Sequence, residues 1–190
     1  MARSPNQKEA SRANILTSAG RGFRSRGFGG LGVDALAAEA GVTSGAFYTH
    51  FKSKAEAFRH AVVAGLGELK FGVEHFKEKF GARWTQHFVD FYLNDRRTCS
   101  LAESCALQSL SSDVARADEA TRKLFEKEFE EVISAVASGL TGRSNVKREQ
   151  AIVLLALLSG GVTLARAVDN AEFSDEIAQA VRKVAANINK

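Results

Sequence analysis

Apolar residues recur at three- and four-residue spacing along almost the whole chain, and strict alternation is nearly absent, so the pattern predicts helices throughout. Ile15, Leu16, Ala19 and Phe23 form the first stripe, on a helix from about residue 7 to Arg26. Four glycines between Gly27 and Gly32 end it. A short helical pattern, Val33 to Ala40, is then broken by Gly41. A turn leads into about two helical turns that finish at Phe51. Ser53-Lys54-Ala55-Glu56 reads as a capping box, with Ser53 as N-cap and Glu56 reaching back, and opens a long helix through Phe58, Val62 and Leu66 to about Phe80. Gly65, Gly67 and Gly72 weaken that helix. Further helices are predicted at about 82–94, 101–113, 118–139, 145–168 and 174–188. Ser100 and Ser174 are read as their caps where a serine precedes an acidic residue. The expected fold is all-α: a three-helix N-terminal domain at 1–55 and a helical C-terminal domain at 56–190.

Composition agrees. One proline (Pro5) in 190 residues, with abundant Ala, Leu, Glu, Lys and Arg, favours helix, and 45% apolar content suffices for one or two cores. The net charge of +4 is modest but unevenly placed. Residues 1–60 carry nine basic side chains, from Arg3 to Arg59, against four acids (Glu9, Asp34, Glu39, Glu56), an excess of five; the rest of the chain sums to −1. Met1 to Lys8 has no apolar core of a signal peptide, and two cysteines without one point to the reducing cytoplasm. Residues 151–165 are uncharged and apolar, but fifteen residues interrupted by Ser159, Gly160, Gly161 and Thr163 fall short of the roughly 20 needed to span a bilayer, so no membrane is expected.

The glycine-broken stretch from Val33 to Lys54 carries the chemistry. Gly41 suits a tight turn, Val42 can plug between two helices, and Thr43 can cap the second one. Phe47 and Phe51 lie four residues apart and should pack inward against Leu36 and the first helix. The opposite side carries Gly45, Ala46 and Thr49, with Ser44 at its edge. Such small side chains let a helix come close to base edges, where hydroxyls hydrogen-bond and methyls touch thymine. Tyr48, His50 and Lys54 are longer and sit on the flanks, where phosphates would run. That is the layout of a helix-turn-helix DNA reader. An Ala40-Gly41-Val42 turn and a Tyr48-Thr49-His50-Phe51 ending closely resemble the N-terminal domain of tetracycline-repressor (TetR) type regulators. The resemblance implies phosphate contacts by Thr43, Tyr48, His50 and Lys54, and base contacts by Ser44, Gly45, Ala46 and Thr49. It implies a ligand-responsive repressor, binding a palindromic double-stranded DNA operator as a homodimer, without a cofactor. The reading side departs from the common pattern in offering no Arg, Asn or Gln, which leaves more of the specificity to shape and backbone contacts.

Beyond residue 80 the resemblance is thinner. Ser104-Cys105-Ala106-Leu107 through Asp113-Val114-Ala115-Arg116 looks like a subgroup's sensor-domain signature, with Ala106 where proline is usual. An aromatic load in mid-chain, which also includes Phe71 and Phe76, could line an apolar cavity for a small-molecule effector, with Phe80, Trp84, Phe88, Phe91, Tyr92, Phe125, Phe129 and Cys105 as its candidate lining. The helix at 145–168 is apolar around most of its circumference, more than one neighbour can cover. Pairing of the last two helices across a two-fold axis is expected through Leu155, Leu158, Val162, Ile177, Val181 and Val184. Cys99 and Cys105 are expected to be small buried hydrophobes without redox control. His50, His60, His75 and His87 form no close metal-ligand pair, and no Cys-x-x-Cys, His-Glu-x-x-His or phosphate-cradling loop is present. An enzyme therefore finds little support. The remaining alternative is a helical interaction module with no DNA partner.

Overall fold

A computed structural model describes residues 5–188; Arg3, counted above among the basic side chains, lies outside them. The described residues form ten α-helices and two single 3₁₀ turns, with no strand among them. The first three helices are α1 (Pro5–Arg26), α2 (Val33–Glu39) and α3 (Ser44–Tyr48). The long α4 (Lys54–Phe80) follows, then α5 (Trp84–Leu93), α6 (Asp95–Thr98) and α7 (Ala106–Ala115). The chain ends with α8 (Glu119–Ser138), α9 (Ser144–Ala167) and α10 (Ala171–Ala185).

The N-terminal core forms where the apolar stripes predict it. Ile15, Ala19 and Phe23 of α1 meet Leu36 of α2, Phe47 of α3, and Phe51, all without exposed surface. Phe58 of α4 closes the cluster edge-on to Phe23, with ring centroids 5.2 Å apart. α4 then runs unbroken into the C-terminal part of the core, where Gly65, Leu66, Leu69 and Val73 are buried. A domain border drawn at residue 55 or 56 therefore cuts a continuous helix near its start.

Three local expectations are revised. Residues 95–98 form a short helix, and 101–103 a 3₁₀ turn, instead of one helix opening at Leu101. Ser100 makes no capping bond, and α7 starts only at Ala106. α10 starts earlier than predicted because Asn170, which accepts from the Phe173 amide at 2.8 Å, is its cap. Ser174 lies inside that helix, donating to Ala165 O at 2.7 Å. At the capping box, Ser53 accepts from the Glu56 amide at 3.1 Å, while the Glu56 carboxylate takes the amide of Lys52 rather than that of Ser53.

The C-terminal pair also departs from expectation. Leu155, Leu158 and Val162 are almost wholly buried inside the protomer, and half-buried Val181 packs on Gly161 of α9. They belong to the core, not to an outward surface. Of the six residues assigned to a dimer contact, Val184 is plainly exposed (55%) and Ile177 partly so. The outward side of α9 is instead Val153, Ala156, Gly160 and Leu164, and that of α10 is Phe173, Ala180 and Val184. α9 as a whole, at 24 residues, is long and apolar enough to cross a membrane, which amends the length argument. Its inner side is nonetheless built into a core with α8 and α10, as in the core helix of a helical bundle.

One glycine fixes the join of α5 to α8. A Cβ at Gly139 would sit 2.7 Å from Trp84 Nε1, and that indole nitrogen donates to Gly139 O at 2.8 Å. Gly139→Ala is expected to lower unfolding free energy by about 1–3 kcal/mol, the usual cost of overpacking. Urea denaturation followed by Trp84 fluorescence reads it, and an unchanged midpoint would show that the indole can move aside.

Candidate DNA interface and effector cavity

α3 is held from beneath and capped from the front. Phe47 and Phe51 anchor it, and Thr43 accepts from the Ala46 amide at 3.2 Å. Gly41, with φ of 67°, occupies the left-handed region that makes the turn cheap for glycine alone. Asn14 of α1 donates to Ala40 O at 2.8 Å and pins the end of α2 against α1. Around that frame, Gly45, Tyr48 and Thr49 are exposed, Ser44, Ala46 and His50 half so.

Both hydroxyls on this side have their protons directed inward. Ser44 Oγ donates to Asp34 of α2, and Thr49 Oγ1 donates to Ala46 O at 2.6 Å. Their outward lone pairs remain as acceptors. Tyr48, 54% exposed, stands edge-on against Phe47 with its hydroxyl end outward. Lys8, Glu9 and Arg12 of α1 border a groove with Thr49 and His50, placing basic side chains beside α3. Sequence reasoning did not single out Lys8 or Arg12; the α1 spacing alone says nothing about which helix they approach.

Lys54 has a second task. Its ammonium donates to Phe28 O at 2.9 Å and Leu31 O at 3.2 Å and lies 4.2 Å from the Phe28 ring centre. Two of its three N–H bonds hold the α1–α2 connector, which leaves one for an outside partner. The same connector is gripped from the other domain. Asp113 of α7 accepts from the Phe28 amide at 2.8 Å and from Arg116 at 2.8 Å. Arg24 of α1 donates to Ala102 O at 2.8 Å, and Arg21 pairs with Glu103.

Four of the eight residues expected around an effector, Phe88, Phe91, Tyr92 and Cys105, come together at one cavity between α4, α5 and α7. Phe76, part of the same aromatic load, lines it too, and so does Arg96, which the expectation lacked. The others lie elsewhere. Phe80 stacks on His87 at 3.9 Å, Trp84 is buried against Gly139, and Phe125 and Phe129 stack on each other along α8. The free volume is about 40 Å³. Phe76 meets Phe88 edge-on at 5.6 Å and Phe91 at 5.4 Å. Tyr92 is 2% exposed and its hydroxyl has no hydrogen-bond partner of good geometry. Burial, then the adjacent Cys105 thiol, pushes its pKa well above the ordinary tyrosine value, so it stays a phenol. Both cysteines are free thiols; Cys99 donates to Arg96 O at 3.4 Å and lies 3.2 Å from Arg166. Among the described residues no group of three His, Cys, Asp or Glu side chains is placed to hold a metal.

The architecture is that of a helix-turn-helix DNA-binding domain set on a helical bundle. Residues 15–61 match the family of bacterial regulatory proteins, tetR family. No curated protein matches the chain. Among solved structures, a TetR transcriptional regulator from Legionella pneumophila superposes with a TM-score of 0.78 at 17% identity, covering 100% of both chains. A TetR-family regulator from Cytophaga hutchinsonii gives 0.78 at 16%, covering 100% of this chain and 98% of its own. Reduced NemR of E. coli gives 0.77 at 20%, covering 95% and 97%. Residues 15–61 thus carry the DNA-binding domain of the tetR family of bacterial regulatory proteins, and the whole chain shares the fold of the TetR-family regulators it superposes on.

His60 tests the packing behind α3. Arg12 can only donate, so the 3.1 Å contact from its guanidinium makes His60 Nε2 an acceptor. Burial and the Arg12 charge lower its pKa below the ordinary 6.5, Glu56 opposing and Arg59 adding. The stability this site contributes is complete above pH 6.5. It is lost as pH falls through the lowered value, where the unfolded chain binds a proton the folded one refuses. His60→Gln is expected to flatten that part of the thermal-midpoint profile between about pH 7 and pH 5. An unaltered profile would place the titration elsewhere.

Proposed function

We propose that the protein is a ligand-responsive repressor that acts in the cytoplasm and binds a palindromic operator as a homodimer. Residues 1–55 read DNA, and 56–190 sense an effector and hold the dimer. The observation that carries the reading is the outer side of α3. No heavy atom other than Thr43 Oγ1, at 3.8 Å, would meet a Cβ at Gly45, so the backbone there is open to close approach. Ser44 and Thr49 present acceptors, which match the amino groups of adenine N6 or cytosine N4 in the major groove. Ala46 and the Thr49 methyl suit a thymine methyl. Thr43, Tyr48, His50 and the third N–H of Lys54 face phosphates on the flanks.

A gel shift against DNA upstream of the protein's own coding region tests the reading and separates it from an interaction module that never meets DNA. Lys54→Ala is expected to weaken binding to all sequences alike and reduce the salt slope by about one unit. Because Lys54 also holds Phe28 O and Leu31 O, its loss should lower the thermal midpoint too. A sequence-selective loss would contradict the phosphate role.

The homodimer is supported by the outward apolar stripe of α9 and α10, in which Leu164 is 61% exposed and Val184 55%. Ala156 and Gly160 let a second helix pair approach closely, and two such pairs make a four-helix bundle. The reading helices would then lie about 34–36 Å apart, one turn of DNA. Leu164→Glu and Val184→Glu are expected to give folded monomers in sedimentation velocity. Val162→Glu, by contrast, should unfold the protomer, since it buries an unpaired charge in a finished core. Dimers surviving both outward substitutions would move the interface elsewhere.

A further inference from the structure

The cavity between α4, α5 and α7 has a chemical character specific enough to name what it takes. Its body is aromatic. The rings of Phe76, Phe88 and Phe91 stand in mutual contact around Phe76 and offer flat apolar walls. Its polar end holds one unused donor. Tyr92 is 2% exposed, and its hydroxyl makes no bond of good geometry. Leaving a buried hydroxyl unpaired costs on the order of 1–3 kcal/mol, and a ligand oxygen arriving there recovers it.

The charge at the mouth is positive. Arg96 lies over Phe91, 5.4 Å from its centre, and spends one N–H on Glu103 O. No carboxylate among the described residues pairs with its guanidinium. The one acid in the lining, Glu68, is ion-paired with Arg24 at 3.4 Å. The neighbouring Ser104 hydroxyl directs its proton to Leu101 O at 2.5 Å, so Tyr92 and Arg96 are the donors left for a ligand. A phenol inside with no partner better than the neighbouring thiol, a guanidinium at the rim without a carboxylate, and flat rings between them select a flat molecule with an anionic oxygen at one end.

We infer that this cavity binds a monocyclic aromatic carboxylate, its ring against Phe76, Phe88 and Phe91 and its carboxylate shared by Tyr92 Oη and the Arg96 guanidinium. The inference rests on the effector-responsive reading above and gives it a ligand class. About 40 Å³ holds a few waters, whereas an aromatic ring needs a cavity on the order of 150 Å³. Entry therefore spreads α4 from α5 and α7. Half-buried Phe76 and Phe91 are the side chains that can swing first. The same displacement acts on Gly65 and Ala106, the point where α4 and α7 touch most closely.

The experiment titrates the full-length protein with benzoate, benzamide and cyclohexanecarboxylate, following Trp84 fluorescence and calorimetric heat. Trp84 is the chain's single tryptophan and packs 6.0 Å from Phe88. Benzoate is expected to bind saturably, with the neutral amide and the non-planar acid at least about tenfold weaker. Tyr92→Phe and Arg96→Gln should each weaken benzoate by about tenfold, a charge-assisted bond's worth, with Arg96→Lys recovering part of the loss. Tyr92→Phe should barely change the unfolding midpoint, because its hydroxyl has only a weak contact with the Cys105 thiol to lose. Benzoate binding no tighter than benzamide, undiminished binding by Tyr92→Phe, or no saturable binding at all overturns the proposal. A parallel gel shift keeps the two readings apart. Specific DNA binding released by some other compound sinks the ligand class alone. Tight benzoate binding by a protein that never binds DNA sinks the regulator reading alone.

Discussion

The rest of the structure depends on α4 being one uninterrupted rod that carries a single core from the N-terminal helices into the bundle. Ala57, Phe58, Ala61 and Val62 are buried in the N-terminal cluster, and Leu66, Leu69 and Val73 in the bundle. Between them, Gly65 meets Ala106 of α7 so closely that a Cβ there would collide with it. A helix cannot bend sharply without disturbing its own hydrogen bonds, so a push on its C-terminal half reappears at its N-terminal half. The glycine that lowers helix propensity at this point is what lets the two helix backbones approach.

The connectors around this rod are ordered by side chains from distant helices rather than by secondary structure. Backbone groups that no helix satisfies must find partners elsewhere. At the α1–α2 connector they find Lys54 and Asp113. Along the segment from α6 to α7 they find arginines. Arg24 takes Ala102 O, Arg96 takes Glu103 O, and Arg166 of α9 takes both Arg96 O and Cys99 O. One segment is thereby tied to the reading domain, to the cavity lining and to the helix that carries the outward apolar stripe.

Where burial follows local periodicity, the chain was readable in advance. The glycine turn at Gly41, the inward pair Phe47 and Phe51, the Ser53 cap and the span of α4 all come from residues within a few positions of each other. Two regions were not readable, for one shared reason. In residues 95–105 several carbonyls are satisfied by arginines far away in sequence, as in Arg24 to Ala102 and Arg166 to Arg96 and Cys99, and no local pattern encodes that. In α9 the periodicity marks two apolar sides but does not say which one α8 and α10 cover. The large aliphatics Leu155, Leu158 and Val162 fill the protomer, and the outward side is built from smaller or scattered ones. The cavity shows the same limit. Phe76, Phe88, Phe91 and Tyr92 were found by composition and Cys105 through the resemblance, while Arg96 and the lack of a well-aligned partner for the Tyr92 hydroxyl exist only in three dimensions.

In the proposed dimer, a switch shared between two copies asks less of the ligand in each. Moving a two-state protein from 1:99 to 99:1 requires a ligand to prefer one state by about 5.5 kcal/mol. A hydrogen bond to a charged group contributes about 1.5–3 kcal/mol, so an anion engaged by Tyr92 and Arg96 in the open cavity alone reaches that range only at its upper end. In the proposed dimer, two protomers joined through α9 and α10 would each need to supply about half as much. The ties to Arg166 and Arg24 join the segment that carries Arg96 of the cavity lining to α9 and to α1. Spreading α4 from α7 therefore cannot leave either of the other two where it was. On the proposed reading, occupancy of a small aromatic site and the separation of two DNA-reading helices would become the same mechanical variable.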